Sequence, residues 1–299
     1  MKPTLLILAA GMASRYGSMK QIQSFGPSDE TIMDYSIYDA IKSGFKKIVF
    51  IIRKEFANDF KNIFEPKWGK KVETEYIYQE MESFLEGYVP PTGRSKPWGT
   101  AHAVLCAESA IRDPFAVINA DDFYGRDAFE KAYQFLTTTS NPTTFCIIGY
   151  DLSKTLSENG SVSRGVCEVD NNNNLVSIHE RTKIYRNEDG KITYEEGGKT
   201  FQVPDTAKVS MNFWCFDPAV FPFIKKIFKE FLEQSGQELK SEFFIPIIGD
   251  RFIQEKRGQI KIIPTAASWF GVTYKEDAPL VQESLNKLIA SGTYPKKLY

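Results

Sequence analysis

Four segments that read as strands, at 4–9, 47–52, 73–78 and 115–120, occur in a first half that also carries segments with helical apolar spacing at 33–43, 100–110 and 127–138. Parallel strands can be joined only by a long crossover, and a helix is the usual one, so this alternation predicts a parallel sheet flanked by helices. Ligands of such sheets sit beyond the carboxyl ends of the strands. The loop after residue 8, Gln79 and Asp121 all fall at such ends.

Beyond about residue 144 the pattern changes. Strand-like segments at 145–150, 165–169, 175–180 and 209–216 are joined by turns, one of them the asparagine run 171–174. An amphipathic helix is expected over 219–234, a strand over 259–264 and a closing helix over 278–290. There is no internal repeat, low-complexity linker or composition break, so 1–299 reads as one domain with halves of about 1–143 and 144–299.

A chain of 299 residues with 42% hydrophobic and 14% aromatic content can bury a large core. Lys+Arg 37 against Asp+Glu 38 leaves a formal net charge of -1, without long runs of one sign. Neither nucleic acid nor an anionic membrane is therefore expected as a partner, and a small soluble substrate suits the balance. The apolar run after Met1-Lys2-Pro3 is too short for a signal-peptide core, and no segment approaches a membrane span, which makes the cytoplasm the expected location. Cys106, Cys146, Cys167 and Cys215 are far apart, lack a Cys-x-x-Cys pair and read as reduced packing residues.

The first strand runs into Leu8-Ala9-Ala10-Gly11-Met12-Ala13-Ser14-Arg15-Tyr16-Gly17-Ser18-Met19-Lys20-Gln21. Small residues at Ala9, Ala10 and Gly11 let backbone N–H groups approach phosphate oxygens, and Arg15 and Lys20 add two cations. The same residues also suit an ordinary strand-to-turn connection. Spacing excludes two rivals, because Gly11 is not followed by a P-loop Gly-Lys-Ser/Thr and no Gly-x-Gly-x-x-Gly is present.

Leu-Ala-Ala-Gly followed by Ser-Arg and Lys resembles the signature of the sugar-phosphate nucleotidyltransferases, the nucleoside-diphosphate-sugar pyrophosphorylases. Pro97-Trp98-Gly99-Thr100-Ala101-His102-Ala103 resembles the family's base-reading turn, Ile118-Asn119-Ala120-Asp121-Asp122 its strand-end metal aspartate, and His179-Glu180-Arg181 its Glu-Lys pair for the sugar phosphate. These ordered matches cover roughly residues 4 to 275. The Arg15-to-Lys20 interval is shorter than in thymidylyl and uridylyl members and is similar to that of molybdopterin-cofactor guanylyltransferases.

The resemblance implies a Rossmann-like, mostly parallel sheet flanked by helices, with a nucleotide-binding first half and a smaller mixed-β sugar-phosphate-binding part. It implies transfer of a nucleotidyl group from a nucleoside triphosphate, UTP or dTTP, to a sugar 1-phosphate, with release of pyrophosphate. Such chemistry consists mainly of positioning two polyanions and neutralising charge, with Mg²⁺ held by carboxylates and phosphate oxygens. Arg15, Lys20 and Asp121 take the catalytic roles, with Asp121 and Asp122 as metal ligands, although an Asp-Asp pair also suits a solvated turn. Leu8, Ala9, Ala10, Gly11, Gln79, Gly99 and Thr100 would hold the nucleotide, Gln79 pairing with a pyrimidine through its amide and Gly99 letting the backbone approach the base. Gly165, Glu180, Arg181, Asn212 and Lys275 would face the sugar phosphate, with Arg181 in place of the usual Lys; alternation on an exposed strand is the other reading of Glu180 and Arg181. His102 reads as a helix-start residue. The stretch 80–96 reads either as a passive loop or as a lid that brings Arg94 or Lys96 to phosphate on closure.

One departure is plain. Where many members carry Trp-x-Asp, with the Asp as second metal ligand, this chain has Trp269-Phe270-Gly271. Asp122, water or the charge of Lys275 would then complete the site. Two other functions stay open: a non-catalytic nucleotide-sugar sensor, and a cytidylyltransferase acting on an alcohol phosphate such as phosphocholine, for which an aromatic cage is expected.

Overall fold

The computed structural model describes residues 2–11, 23–272 and 274–299, Lys275 through its backbone alone. The four strand-like segments form β1 (Thr4–Leu8), β2 (Lys47–Ile52), β3 (Glu73–Tyr78) and β4 (Phe115–Asn119), all parallel and ordered β3-β2-β1-β4. Alternation along β1 serves two cores. Leu5 and Ile7 pack into the layer that includes α1 (Ile32–Ser43), α2 (Ala57–Trp68) and α4 (Arg126–Thr138), and Leu6 into the opposite layer with α3 (Thr100–Cys106).

Local chemistry starts and stops α1. Thr31 caps it by accepting from the Asp34 amide while the Asp34 carboxylate accepts from Thr31 N at 2.8 Å, and Gly44 ends it at φ 116°. Buried Asp34 also accepts from Trp68 Nε1 at 2.6 Å and from Lys67 Nζ at 2.9 Å, tying α2 to α1. The sequence reading did not anticipate α2, which carries Pro66, although Ala57, Phe60, Phe64 and Trp68 form a buried stripe at helical spacing.

The second half extends the same sheet with mixed directions. It contains β6 (Thr144–Asp151), β7 (Val162–Val169), β8 (Leu175–Arg186), β9 (Ile192–Glu196), β10 (Lys199–Gln202), β11 (Lys208–Phe216) and β12 (Gln259–Pro264). On one edge, β11 pairs antiparallel with β4 through 214–216 and with β7 through 208–210; its other edge meets β6, which pairs in parallel with β12. The helices α5 (Val220–Ser235) and α6 (Ile245–Gln254) contribute to the α3 layer, and α7 (Ala278–Ala290) packs on the α1 layer. A two-stranded pair, β5 (Asp122–Phe123) with β13 (Phe270–Gly271), stands apart.

The expected α/β sheet flanked by helices is present, with the antiparallel strands all in or against the second half. Strand β8 runs to Arg186 rather than stopping at 180, and α3 ends at Cys106 rather than 110. The β9–β10 hairpin and α6 were not anticipated. All four cysteines are free and buried, and no helix among the described residues is long and apolar enough to cross a membrane.

Candidate active site

Strand β11 changes partner from β7 to β4 along one edge, and its pairing register shifts between Ser210 and Trp214. Asn212 lies in that gap at φ 62°, a left-handed conformation that asparagine tolerates better than most residues. Its Nδ2 donates to Asn119 Oδ1 at 3.3 Å, and Asn119 Nδ2 donates to Asp122 Oδ2 at 2.9 Å, so side chains bridge the gap that backbone pairing leaves. Beneath it, the Tyr124 hydroxyl accepts from Asn119 N at 3.1 Å and donates to the Met211 carbonyl at 2.8 Å.

A cavity of about 770 Å³ opens over this gap and is lined by Thr100, Asp121, Asp122, Gly165, Glu180 and Asn212, among others. Six residues singled out from the sequence are thus brought together. Gly165 and Glu180 are direct cross-strand partners on β7 and β8. Burial raises the Glu180 carboxyl pKa, with Arg164 acting in the opposite direction. Thr100 Oγ1 accepts from Ile245 N at 3.2 Å and thereby docks the start of α6 beside the cavity. Asp121 follows β4 in a turn, and Asp122 opens β5.

Arg181 is not among the cavity residues. Adjacent residues of a strand face opposite sides; Arg181 instead donates to Glu196 at 2.8 and 2.9 Å and lies over Tyr194. Two described cations line the cavity: Arg251, which is paired with Glu230 and Glu255, and Arg164, which is 8% exposed, stacked 4.7 Å from the Trp269 ring centroid and donating to the carbonyls of Ser163 and Thr155. Burial pulls the Arg164 pKa down to about 10, while Asp122, Glu180 and Asp277 oppose that shift, so it stays charged at neutral pH. Among the described residues, buried Arg164 Nε and Trp269 Nε1 find no acceptor. Whatever satisfies these two donors is an acceptor atom.

At the end of β1, Leu8 accepts from Ala120 N at 3.3 Å and Ala9 N donates to Ile51 O at 2.8 Å. The Ala9 amide is therefore committed to β2 and is not available to a phosphate. Ala10 is buried and Gly11 exposed, while Arg15 and Lys20 lie outside the described residues. So does the Lys275 side chain; its backbone forms part of the 3-10 turn Lys275–Asp277.

A second cavity, of about 450 Å³, is lined by Arg53, Gln79, Glu80, Trp98 and His102, among others. Gln79 follows β3 and donates from Nε2 to Gly99 O at 3.0 Å. Gly99 has φ 104°, and a Cβ there would lie 2.7 Å from Phe243 O, so the glycine is required by the backbone of 243 rather than by an open approach to a base. The 80–96 stretch is anchored. Arg94 lies 3.6 Å from the Trp98 ring centroid and donates to Ser241 O at 2.6 Å and Glu238 O at 2.7 Å, while Lys96 pairs with Glu242 at 2.5 Å. These bonds hold both cations away from the phosphate role expected of a lid.

A family model for nucleotidyl transferases matches residues 5–261, from within β1 to within β12. The chain belongs to the nucleotidyl transferase family. A Bacillus anthracis protein described as a glucose-1-phosphate thymidylyltransferase, solved in complex with a sucrose, superposes with a TM-score of 0.62 at 15% identity, covering 94% of each chain. The inositol-1-phosphate CTP transferase of T. maritima gives 0.61 at 12% identity over 96% of each. A UDP-glucose pyrophosphorylase complexed with UDP-glucose gives 0.60 at 15% identity, over 96% of this chain and 99% of that one. A comparison with curated protein sequences returns no match.

The chain is a nucleotidyltransferase by family, and its candidate site residues gather at the carboxyl ends of β3 and β4 and against the antiparallel strands. Sequence reasoning passed over Arg164 and Trp269's use of it. The signal was slight: a cation directly before Gly165, and a tryptophan noted only as part of an altered motif. Gly271 pairs with Asp122 across β5–β13, and a Cβ at 271 would lie 2.9 Å from Asp122 Oδ1. The Asp122 carboxylate therefore borders the space into which a side chain at 271 would project.

Proposed function

We propose that the protein transfers a nucleotidyl group from UTP or dTTP to a sugar 1-phosphate, forming a nucleoside-diphosphate sugar and releasing pyrophosphate. One observation carries this reading: Asp121, Asp122, Glu180, Asn212 and the buried Arg164 converge on one cavity at the strand ends of a nucleotidyl transferase fold. The sugar phosphate oxygen attacks the α-phosphorus, a new P–O bond forms, and the bond to pyrophosphate breaks. In this reading Glu180 accepts from sugar hydroxyls, and Asn212 contacts the sugar beside it. Arg164 supplies positive charge to the acceptor phosphate in place of Arg181. Arg15 and Lys20 keep their assigned role of neutralising the leaving pyrophosphate.

The residues fit a divalent magnesium ion. Mg²⁺ takes one or two protein carboxylates and completes its shell with waters and phosphate oxygens, and Asp121 and Asp122 border the same cavity. Among the described residues there is no group of three or more His, Cys, Asp or Glu that would hold a metal alone, which suits an ion that arrives with the triphosphate. When bound, it would supply charge neutralisation on the phosphates.

Within the alcohol-phosphate reading, phosphocholine is the less well served acceptor. A choline-like head needs open aromatic faces, but among the described residues Phe244 and Trp269 are the aromatics lining the cavity, and Trp269 already carries the Arg164 guanidinium. Pyrophosphate release measured across UTP, dTTP, CTP, ATP and GTP, each with hexose 1-phosphates, inositol 1-phosphate and phosphocholine, with Mg²⁺ or with chelator, tests the proposal. Turnover with UTP or dTTP and a hexose 1-phosphate, abolished by chelator, is expected. Turnover only with CTP and an alcohol phosphate would replace this reading, and tight nucleotide-sugar binding without any turnover would make the protein a sensor.

A further inference from the structure

The base-side cavity contains a chain of hydrogen bonds whose proton positions follow from its two ends. His102 Nε2 lies 3.0 Å from Ser83 O, and a carbonyl can only accept, so Nε2 carries the proton. Gln79 Nε2 lies 3.0 Å from Gly99 O, which places the amide nitrogen on that side. The same nitrogen is 3.3 Å from His102 Nδ1, which in the neutral ring is a lone pair able to accept the second amide hydrogen. Both Gln79 N–H bonds are then used inside the protein, and Oε1 is the amide's remaining polar atom. His102 is fully buried, and its ring packs 4.8 Å from that of Phe228.

We propose that His102 is a positioning residue: it locks the Gln79 amide with its oxygen as the atom offered to the nucleobase, so that the site selects a base presenting an N–H there, the N3–H of uracil or thymine. The inference rests on the proposed nucleotidyl transfer and adds to it how the base is chosen. A free glutamine amide can turn over to offer either a donor or an acceptor and is indifferent to the base edge. With its nitrogen held by Gly99 and His102, it is not. Protonation of His102 would set an N–H against an N–H and break the chain; burial, aided by Arg94, lowers its pKa to about 4 and keeps it neutral.

The test has one arm without nucleotide and one with it. In ¹⁵N–¹H NMR of the wild type at pH 7, His102 is expected as the neutral Nε2–H tautomer with an unprotonated Nδ1, and the Gln79 side-chain amide protons as protected from exchange. His102→Phe keeps a ring against Phe228 but removes the lone pair, and those Gln79 protons should lose protection. In titrations, the wild type should bind UTP about tenfold or more tightly over both CTP and 3-methyluridine triphosphate, the latter lacking the N3–H. In His102→Phe that preference should collapse towards unity, with a raised KM for UTP and little change in kcat, and His102→Gln, which restores an acceptor, should recover part of it. A Phe variant with wild-type preference and wild-type Gln79 protection overturns the positioning role. Triphosphate binding that ignores the N3–H, or equal binding of CTP, overturns the base selection alone. Absence of binding by any triphosphate overturns the proposed function, and the base assignment with it.

Discussion

Gly271 faces Asp122 across a two-residue bridge, with room for no Cβ beyond 2.9 Å from the carboxylate. A second carboxylate at 271 would crowd like charge against Asp122, so glycine there is compatible with an acid at 122. Asp122 accepts from Asn119 Nδ2 at 2.9 Å, and Asp121 sits in the turn beside it; in the proposed function Asp121, which stands at the family's metal aspartate, carries the larger share of the metal role. Asp121→Asn keeps the size of the side chain and removes the charge a hard cation requires; kcat is expected to fall by about 10² to 10³ at unchanged thermal stability. Asp122→Asn should fall less, and metal titration of both variants separates the two. Beneath this turn, buried Asp39 accepts from Tyr294 Oη at 2.5 Å and meets Arg126 Nε at 3.4 Å. Burial raises its pKa from 3.8 to about 7 despite both partners. Between those values the unfolded chain has released a proton that the folded chain retains, so this group lowers stability as pH rises from about 4 to about 7 and adds no further loss above that. Denaturant unfolding at pH 5 and pH 7 should show that slope in the wild type and a flatter one in Asp39→Asn.

Among the elements, β11 does most to position the site, because its exchange of partners opens the gap that Asn212 occupies. Backbone and side-chain contributions at 212 are separable. Asn212→Ala and Asn212→Gly both lose the contact to Asn119, but only alanine pays for φ 62°, so the glycine variant should be the more stable of the two by about 1 kcal/mol. Both should raise KM for the acceptor to a similar degree; a glycine variant with wild-type KM would remove the side chain from acceptor binding. The position of Asn212 on a strand was legible from sequence, but its left-handed bend was not, since it arises from β4 and β7 meeting the same edge. The pairing of Glu180 with Arg181 as joint ligands also ran against strand geometry: consecutive residues of β8 face opposite ways, and Arg181 went to Glu196. Arg164 was hidden for a different reason. Its burial depends on Trp269, about a hundred residues downstream, and no local pattern announces that stack.

At the scale of the whole molecule, the strand and helix alternation over β1 to β4 placed the carboxyl ends of these strands together, because parallel strands with helical crossovers leave little choice of direction. The hairpin β9–β10 escaped because β10 is wholly exposed and only Ile192 and Thr193 of β9 are buried, too short a signal to read as a strand pair, and α2 because Pro66 masks a stripe that tertiary packing enforces. The resulting fold brings residues from both halves of the chain to the same cavity, with Asp121 and Asp122 from one half and Arg164, Glu180 and Asn212 from the other. The central claim is that a phosphoryl oxygen of one substrate displaces pyrophosphate from another at that cavity. Phosphorus-31 NMR of the wild-type protein with UTP or dTTP, a hexose 1-phosphate and Mg²⁺ tests this most directly. The account predicts a new pair of coupled diphosphate-diester resonances growing in step with one equivalent of free pyrophosphate, as both substrates decline. Substrate resonances that stay unchanged across the series of hexose 1-phosphates, or release of nucleoside monophosphate without the diester pair, would contradict it.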